Sequence, residues 1–126
     1  VATKILSIRN VPKGTPISYG RTFITKKQSR IGVLPLGYAD GYSRLFSNNA
    51  DVLVRGERAP IVGRVCMDLT MVDLTGIKGV KENDEVVLIG KQGSGEITAQ
   101  ELAERAGTIP YEILTSIGSR AQRVYG

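Results

Sequence analysis

The sequence of 126 residues, 41% of them hydrophobic, has the length of one domain and enough apolar residues for a core, and its net charge is +5. Because it contains no histidine and one cysteine, it excludes Ser-His-Asp and Cys-His catalysis, a Cys/His zinc site and an internal disulfide. We expect no metal site, and any proton transfer depends on tyrosine, lysine, a carboxylate or a group supplied from elsewhere.

Short strands and turns alternate in the first part of the chain. Apolar runs predict strands at residues 3–10, 17–25 and 31–36. The sequence Val-Pro-Lys-Gly at residues 11–14 predicts the turn that ends the first strand. The third strand leads through Gly37 into a tight loop, where glycine permits the positive φ values that such a loop needs.

The middle of the chain predicts antiparallel pairs. A polar Ser-Asn-Asn cluster at residues 47–49 marks an exposed connection. Residues 51–55 and 58–62 flank a Gly-Glu link at residues 56–57, of the kind that suits a type II′ hairpin. A charged turn then precedes a short apolar strand at residues 85–89.

The run at residues 63–74 alternates between an apolar and a mixed face, which predicts a strand. This pattern places the Met67 side chain in the core and Cys66 on the opposite face. A nucleophilic cysteine needs a base or positive surroundings, and Arg64 is the only cation close to it in sequence. We therefore interpret Cys66 as a structural residue.

The last third of the chain predicts a hairpin tip and a helix. The Gly-Ser-Gly sequence at residues 93–95 lacks the spacing of a phosphate-binding loop and fits a flexible hairpin tip. Residues 97–106 predict a helix, in which Thr98 and Glu101 have the spacing of a capping box. Gly107 follows as the helix stop.

Beyond this helix, a second short helix is predicted at residues 110–117 and a last strand at residues 119–125. The chain therefore predicts a mainly β fold, a small antiparallel β-barrel or sandwich with one or two short helices near the C-terminus. We expect residues 1–126 to form a single domain.

Tyr38 is the candidate for proton transfer, because it follows a buried strand in the Gly-Tyr-Ala-Asp-Gly loop at residues 37–41. A free phenol has a pKa of about 10, so its ionisation at pH 7.5 costs about 3.4 kcal/mol. A neighbouring cation or hydrogen-bond donor must lower this cost, and Arg44, Arg64 and Arg120 are candidates. The alternative is an amphipathic packing residue with its hydroxyl in water.

Positive charge is concentrated at the front of the chain. The first thirty residues hold seven Lys or Arg and no acidic residue. Such a region could bind nucleic acid, although the basic residues are scattered and lack the aromatic platforms on which bases stack. We interpret them as solvated strand faces, with a small β-barrel nucleic-acid-binding module as the alternative function.

No apolar run approaches the roughly 20 residues that a membrane helix needs, and the first residues lack the order of a signal peptide. The lone cysteine is consistent with a reducing compartment. We therefore expect a cytoplasmic protein that does not contact a membrane.

Three segments resemble one known family. The sequences LPLGYADGYSR at residues 34–44, APIVGRVCMDLTMVDL at 59–74 and ITAQELAERAGTIPYEILTSIGSRAQRVY at 97–125 are similar, in this order, to the C-terminal domain of alanine racemases. SYGRTF at 18–23 and NDEVVLIG at 83–90 fit the same pattern. The resemblance covers essentially the whole chain.

The resemblance implies an isomerase that interconverts L- and D-alanine with pyridoxal 5′-phosphate and supplies D-alanine for peptidoglycan. In this family an N-terminal α/β barrel carries the cofactor lysine and precedes a β-rich domain similar to this chain. None of the seven lysines here lies in a context like the family's AVVKANAYGHG segment, so we assign no cofactor lysine. We expect the isolated chain to fold without racemase activity.

The resemblance also implies roles for five residues. Tyr38 resembles the acid/base that acts on L-alanine, opposite the barrel lysine, and Met67 resembles a methionine that helps to bind the substrate carboxylate through its backbone N–H. Tyr111 resembles the tyrosine that contacts the cofactor phosphate, while Arg64 and Ile109 would line the substrate corridor. In the family these groups reach the partner subunit's site in a head-to-tail homodimer. A purely structural, dimer-forming role is the other alternative.

Overall fold

The computed structural model describes residues 2–17, 23–37 and 46–108. This part of the chain contains eleven short strands followed by one helix. The elements in chain order are β1 (Ala2–Lys4), β2 (Ser7–Val11), β3 (Pro16–Ile17), β4 (Phe23–Ile24), β5 (Ser29–Leu34), β6 (Asp51–Val54), β7 (Glu57–Pro60), β8 (Thr70–Asp73), β9 (Glu85–Val87), β10 (Gly90–Gln92), β11 (Gly95–Ile97) and α1 (Ala99–Ala106).

The strands form two larger and two smaller sheets. The larger sheets have the strand orders β1-β9-β6-β7 and β2-β5-β8, and the smaller ones are the pairs β10-β11 and β3-β4. All of these pairings are antiparallel. Among the described residues the sheets do not close into a barrel but form a sandwich-like arrangement, so the mainly β prediction is confirmed in its sandwich form.

One main apolar cluster lies between the larger sheets and the helix. It includes side chains from both sheets and from α1, among them Leu34, Val52, Val72, Val86 and Leu102, each at most 1% exposed. Apolar area removed from water stabilises a fold by roughly 25 cal/mol per Å². This cluster is therefore the main source of stability among the described residues, and it joins both larger sheets to α1.

The single strand predicted at residues 3–10 is divided into β1 and β2. Ile5 N–H donates to the Asp84 carbonyl (3.0 Å), whereas Leu6 N–H donates to the Val33 carbonyl (2.8 Å). Consecutive residues thus bond to different sheets, and the chain crosses from the four-stranded sheet to the three-stranded one at this point. Sequence alternation alone does not reveal such a crossing.

The strand predicted at residues 17–25 is a hairpin instead. Ile17 pairs with Phe23 in antiparallel register, so the two halves of the predicted strand lie side by side. The turn predicted before it is confirmed, because Gly14 has φ +86° and its N–H donates to the Thr25 carbonyl at 2.8 Å.

The predicted hairpin of β6 and β7 is confirmed, but its turn differs from the prediction by one residue. Val54 pairs with Glu57, so Arg55 and Gly56 are the two turn residues. Their φ values are +52° and +80°, and positive φ at both positions defines a type I′ turn rather than type II′.

Helix α1 has the predicted cap and stop. Thr98 accepts a hydrogen bond from Glu101 N–H at 3.1 Å, and Gly107 ends the helix in the left-handed region at φ +71°. The helix begins two residues later than predicted because Ile97 belongs to β11. In a full capping box the Glu101 side chain would also bind the Thr98 backbone N–H. Here the Glu101 carboxylate binds the Arg58 guanidinium instead.

The predicted hairpin tip at residues 93–95 is confirmed by the antiparallel pair of β10 and β11. The second helix predicted at residues 110–117 and the strand at 119–125 lie outside the described residues. Among the described residues, no helix has the length and apolar character of a membrane-spanning segment.

Candidate functional site

The central segment of the candidate site is a loop, residues 63–69, rather than the first half of the predicted strand. Only residues 70–73 of that run form a strand, β8. Gly63 has φ +76°, which turns the chain away from strand geometry, and Cys66 N–H donates to the Leu69 carbonyl at 2.9 Å to close a reversal. We call residues 63–69 the site loop.

The prediction that Met67 points into the core is wrong. Its side chain is 52% exposed, and that of Leu69 in the same reversal is 38% exposed. Alternation was a misleading signal here because the segment is not a strand. Met67 and Leu69 therefore present apolar surface from this loop, whereas Tyr38 and Tyr111 lie outside the described residues.

The chain after β5 packs directly on the site loop. A Cβ atom placed on Gly37 would lie 1.9 Å from the Cys66 carbonyl oxygen and 2.6 Å from that of Met67. One residue earlier, the Leu36 carbonyl accepts a 2.8 Å hydrogen bond from the buried Thr70 hydroxyl. Only glycine fits at position 37, which immediately precedes Tyr38 in the sequence.

Side chains of the polar segment at residues 47–49 hold the start of the site loop. Asn48 Oδ1 accepts from Gly63 N–H at 2.6 Å, and Ser47 Oγ accepts from Val65 N–H at 2.7 Å. Sequence reasoning treated this segment only as an exposed connection. Short polar side chains that bond to backbone groups are common in such clusters, but the sequence does not reveal which backbone they reach.

The site loop presents several exposed side chains. Arg64, Met67 and Asp68 are all exposed and lie within five consecutive residues. Cys66 is half-buried, and its thiol donates to the Arg64 carbonyl (Sγ to O, 3.6 Å). This contact agrees with a structural role for the cysteine.

The predicted site residues are only partly placed by the structure. It brings Arg64 and Met67 into one loop and sets Gly37 against that loop. Tyr38, Ile109 and Tyr111 lie outside the described residues. Their roles stay predictions.

The end of α1 is the last described part of the chain before Ile109. Thr108 N–H donates to the Ala103 carbonyl at 2.9 Å, which closes the helix end beyond Gly107. Asn49 Nδ2 donates to the Arg105 carbonyl at 2.8 Å. The polar segment at residues 47–49 therefore contacts this helix end as well as the site loop.

An ion cluster holds the start of α1 against the β6–β7 hairpin. The Arg58 guanidinium donates to both carboxylate oxygens of Glu101, at 2.6 and 2.7 Å, and also contacts Asp51 at 3.2 Å. The hydrogen bond from Arg58 lowers the pKa of Glu101 below its ordinary value of 4.5, against the opposing effect of burial. The same bond raises the pKa of Arg58. This cluster fixes the helix and carries no catalytic geometry.

The lysines do not offer a place to attach an aldehyde cofactor. All seven, Lys4, Lys13, Lys26, Lys27, Lys78, Lys81 and Lys91, are exposed. A lysine that forms a Schiff base is normally activated by desolvation in a pocket or by a neighbouring cation. None of the seven lysines has the desolvated setting that such an attachment requires.

The described residues form a mainly β domain with an exposed loop, residues 63–69, at its surface. The sequence matches the family described as alanine racemase, C-terminal domain, over residues 1–125. The chain belongs to this family.

Individual relatives agree with the family match. The chain is 66% identical over 125 residues to an alanine racemase of Thermodesulfovibrio yellowstonii, an alignment that covers 99% of this chain and 34% of the relative. It is 54% identical to an alanine racemase of Halothermothrix orenii, with 98% and 32% covered. The chain thus spans about a third of the length of the relatives it matches.

Solved structures agree at the level of the fold. The crystal structure of Bacillus anthracis alanine racemase with bound L-Ala-P matches with a TM-score of 0.86 at 46% identity, covering 92% of this chain and 29% of that one. Bartonella henselae alanine racemase, with covalently bound pyridoxal phosphate, matches with a TM-score of 0.86 at 35% identity, covering 94% and 32%.

The alternative of a nucleic-acid-binding module gains no support from these matches. Arg30, one of the seven basic residues at the front of the chain, directs its guanidinium to the Val80 carbonyl at 2.9 Å. Lys4, Arg9 and Lys13 are exposed on two strands of different sheets and on a turn. These basic residues are thus distributed over different elements of the described part of the chain.

Proposed function

We propose that this chain is the C-terminal domain of a pyridoxal 5′-phosphate-dependent alanine racemase, which interconverts L- and D-alanine in the cytoplasm and supplies D-alanine for peptidoglycan. The observation that carries the proposal is the family match over residues 1–125. An N-terminal barrel domain of the same protein, outside this chain, would hold the cofactor.

Tyr38 is the proposed acid/base for L-alanine. When bound, pyridoxal phosphate withdraws electrons from the substrate and makes the hydrogen on Cα acidic. Tyr38 exchanges a proton with Cα on one face, and the barrel lysine acts on the other, because inversion requires an acid and a base on opposite faces. The packing of Gly37 against Met67 supports a common location for Tyr38 and the site loop.

Met67 is the proposed contact for the substrate carboxylate through its backbone N–H. Among the described residues this N–H has no hydrogen-bond partner, although its neighbour Cys66 N–H is bonded to Leu69. An amide without a partner in a reversal is available to an anionic oxygen. The exposed Met67 side chain would cover the site from the same loop.

The remaining residues would shape access to the site. Arg64, exposed on the site loop, and Ile109, which follows α1, are proposed to line the corridor through which alanine enters. A cation there favours a substrate that carries a carboxylate. Tyr111 is proposed to contact the cofactor phosphate and to narrow the corridor.

The direct test is racemisation by the purified full-length protein, followed from L- and from D-alanine by chiral chromatography. Conversion in both directions, dependent on pyridoxal phosphate, is the expected result. A full-length protein that binds the cofactor without interconverting the alanine enantiomers would contradict the proposed reaction.

Subunit complementation tests the proposed head-to-tail dimer. Tyr38→Phe and a variant without the barrel lysine are each strongly impaired alone, but a mixed dimer contains one site with both groups intact if each site draws on two subunits. Activity restored by co-expression is therefore expected. Two variants that stay impaired when mixed, despite forming heterodimers, would place both groups in one subunit's site.

A further inference from the structure

We propose that residues 47–49 act as a positioning segment for the racemase site. They would set the shape of the site loop and fix the end of α1, after which Ile109 and Tyr111 follow. This inference rests on the function proposed above. It assigns a role to a segment that contains none of the predicted site residues.

The positioning segment is anchored at both ends in the core. Phe46, which precedes it, is fully buried, and Ala50, which follows it, is 4% exposed. Ile61 N–H donates to the Ala50 carbonyl at 2.8 Å, and Asn49 N–H donates to the Phe46 carbonyl at 2.9 Å. The short turn between these two residues is therefore fixed in place, and so are the side chains that it carries.

Asn48 holds Gly63 by two hydrogen bonds that run in opposite directions. Its side-chain Oδ1 accepts from Gly63 N–H at 2.6 Å, and its own N–H donates to the Gly63 carbonyl at 3.1 Å. Both residues have positive φ, +53° for Asn48 and +76° for Gly63. Asparagine adopts this conformation more readily than most residues, so one side chain satisfies both the local turn and the partner loop.

Ser47 binds the site loop two residues beyond Gly63, at Val65. Val65 is buried, and its N–H donates to Ser47 Oγ at 2.7 Å. A buried backbone N–H in an irregular loop needs such a partner, because no strand neighbour supplies one. Ser47 and Asn48 therefore determine the path of the residues that lead to Arg64 and Met67.

Asn49 connects the same segment to the helix. Its Nδ2 donates to the Arg105 carbonyl at 2.8 Å, in the last turn of α1, where carbonyl groups lack partners within the helix. The side chains of residues 47–49 thus bind both the site loop and the end of α1, which are far apart in sequence. A shift of this segment would move the site loop and the helix end together.

The test uses the full-length protein with Ser47→Ala and Asn48→Gly. Glycine tolerates the positive φ of residue 48 and removes the side chain that carries Oδ1, so the variant separates the side-chain hydrogen bond from the turn. A displacement of about 1 Å at a substrate-positioning group costs about 100-fold in catalytic efficiency, and we expect a 10- to 100-fold fall in kcat/KM. The fall should come from a higher KM for alanine, with kcat per cofactor-loaded site changed less than about threefold.

Asn48→Asp and Asn10→Ala are the matched controls. Aspartate keeps an acceptor oxygen and tolerates positive φ, so the KM of Asn48→Asp for alanine should lie close to the wild-type value. Asn10 is exposed on β2, away from the site loop, and its replacement should leave both constants unchanged. Loss of cofactor-loaded protein with an unchanged KM in both Ser47→Ala and Asn48→Gly would show a merely structural role and overturn the inference.

Asn49→Ala tests the arm that reaches the helix. It should speed the loss of pyridoxal phosphate on dialysis, through the proposed Tyr111 contact, and raise deuterium uptake in the peptide that spans the end of α1. Unchanged deuterium uptake in that peptide would overturn the proposal that Asn49 fixes the end of α1. A wild-type protein that fails to racemise alanine would refute the proposed function itself, whereas active wild type with unaltered variants refutes only the positioning role.

Discussion

Gly37 lies so close to Cys66 that a single Cβ atom on the glycine would overlap the Cys66 carbonyl oxygen, at 1.9 Å. The contact is between two backbones, so no side-chain rotation can relieve it. It joins the end of the chain segment after β5 to the site loop, the two regions from which Tyr38 and Met67 are proposed to act.

Gly37→Ala should therefore destabilise the domain and the site together. Overpacking typically costs 1–3 kcal/mol, and a clash with backbone atoms belongs at the upper end, about 3 kcal/mol. Urea unfolding measures the stability, and racemase assays of the full-length protein measure the site. Gly76→Ala is the control, because a Cβ there meets nothing within 4 Å. Equal unfolding midpoints for the two variants would contradict the close contact.

Tyr38→Phe should selectively impair proton exchange with L-alanine. Phenylalanine keeps the ring and removes only the hydroxyl, and a positioned acid/base is worth a factor of about 10² to 10⁴. Racemisation should fall by that factor in both directions, since every turnover uses both faces. Solvent deuterium incorporation at Cα, measured from each enantiomer before full turnover, should fall strongly from L-alanine and less from D-alanine.

The same experiment distinguishes catalysis from a purely structural role for the domain. A structural defect would reduce exchange from both enantiomers equally and would lower the unfolding midpoint. Equal losses from L- and D-alanine, or no loss, would therefore count against Tyr38 as the base for L-alanine.

The isolated 126-residue chain should fold but should not racemise alanine or attach pyridoxal phosphate. Its main apolar cluster is built within the chain, whereas all seven lysines are exposed. Cooperative urea unfolding checks the first statement, and the absorbance of lysine-bound cofactor after incubation and dialysis checks the second. Racemisation by the isolated chain would overturn the assignment of the cofactor lysine to another domain.

Glu101→Gln should remove a pH-dependent contribution to stability. Because Arg58 lowers the pKa of Glu101 below 4.5 in the folded state, the ion pair stabilises the fold above about pH 5, and this contribution is lost as the pH falls through the lowered pKa. The Arg58 side chain is 43% exposed, so solvent reduces the effect to about 1 kcal/mol at pH 7. Urea unfolding at pH 7 and pH 3 measures it.

Glu104→Gln on the same helix is the matched control, since Glu104 is exposed and has no ion pair among the described residues. The difference between wild type and Glu101→Gln should shrink towards pH 3, while that for Glu104→Gln should stay near zero. A constant difference at both pH values would contradict the ion-pair explanation.

Local signals predicted local structure well. The Thr98 cap, the Gly107 stop and the hairpin around Gly56 depend on residues a few positions apart, and all three are present. The turn of that hairpin was misplaced by one residue because Arg55 adopts positive φ, an uncommon conformation for a long side chain.

Contacts between distant residues account for the error at the site loop. Alternation predicted a strand through Met67, but Gly37 packs against the backbone there, and Asn48 bonds to Gly63 from 15 residues away. Nothing in the local sequence distinguishes this loop from a strand. The family resemblance identified the candidate site residues from sequence motifs. The structure adds the hydrogen bonds that fix the loop containing two of them, Arg64 and Met67.

The pairing of β1 with β9 has a consequence for the order of folding. Ala2 pairs with Val87, so the four-stranded sheet cannot be completed until the ribosome has released residues 85–87. Closing such a long loop before its contacts form is entropically costly, and folds dominated by distant pairings take milliseconds to seconds. Until the sheet is complete, the apolar side chains of β6 and β9 are exposed, and they can bind chaperones or aggregate. Slow translation of the residues after β9 would give these strands time to pair, and it should therefore favour correct folding.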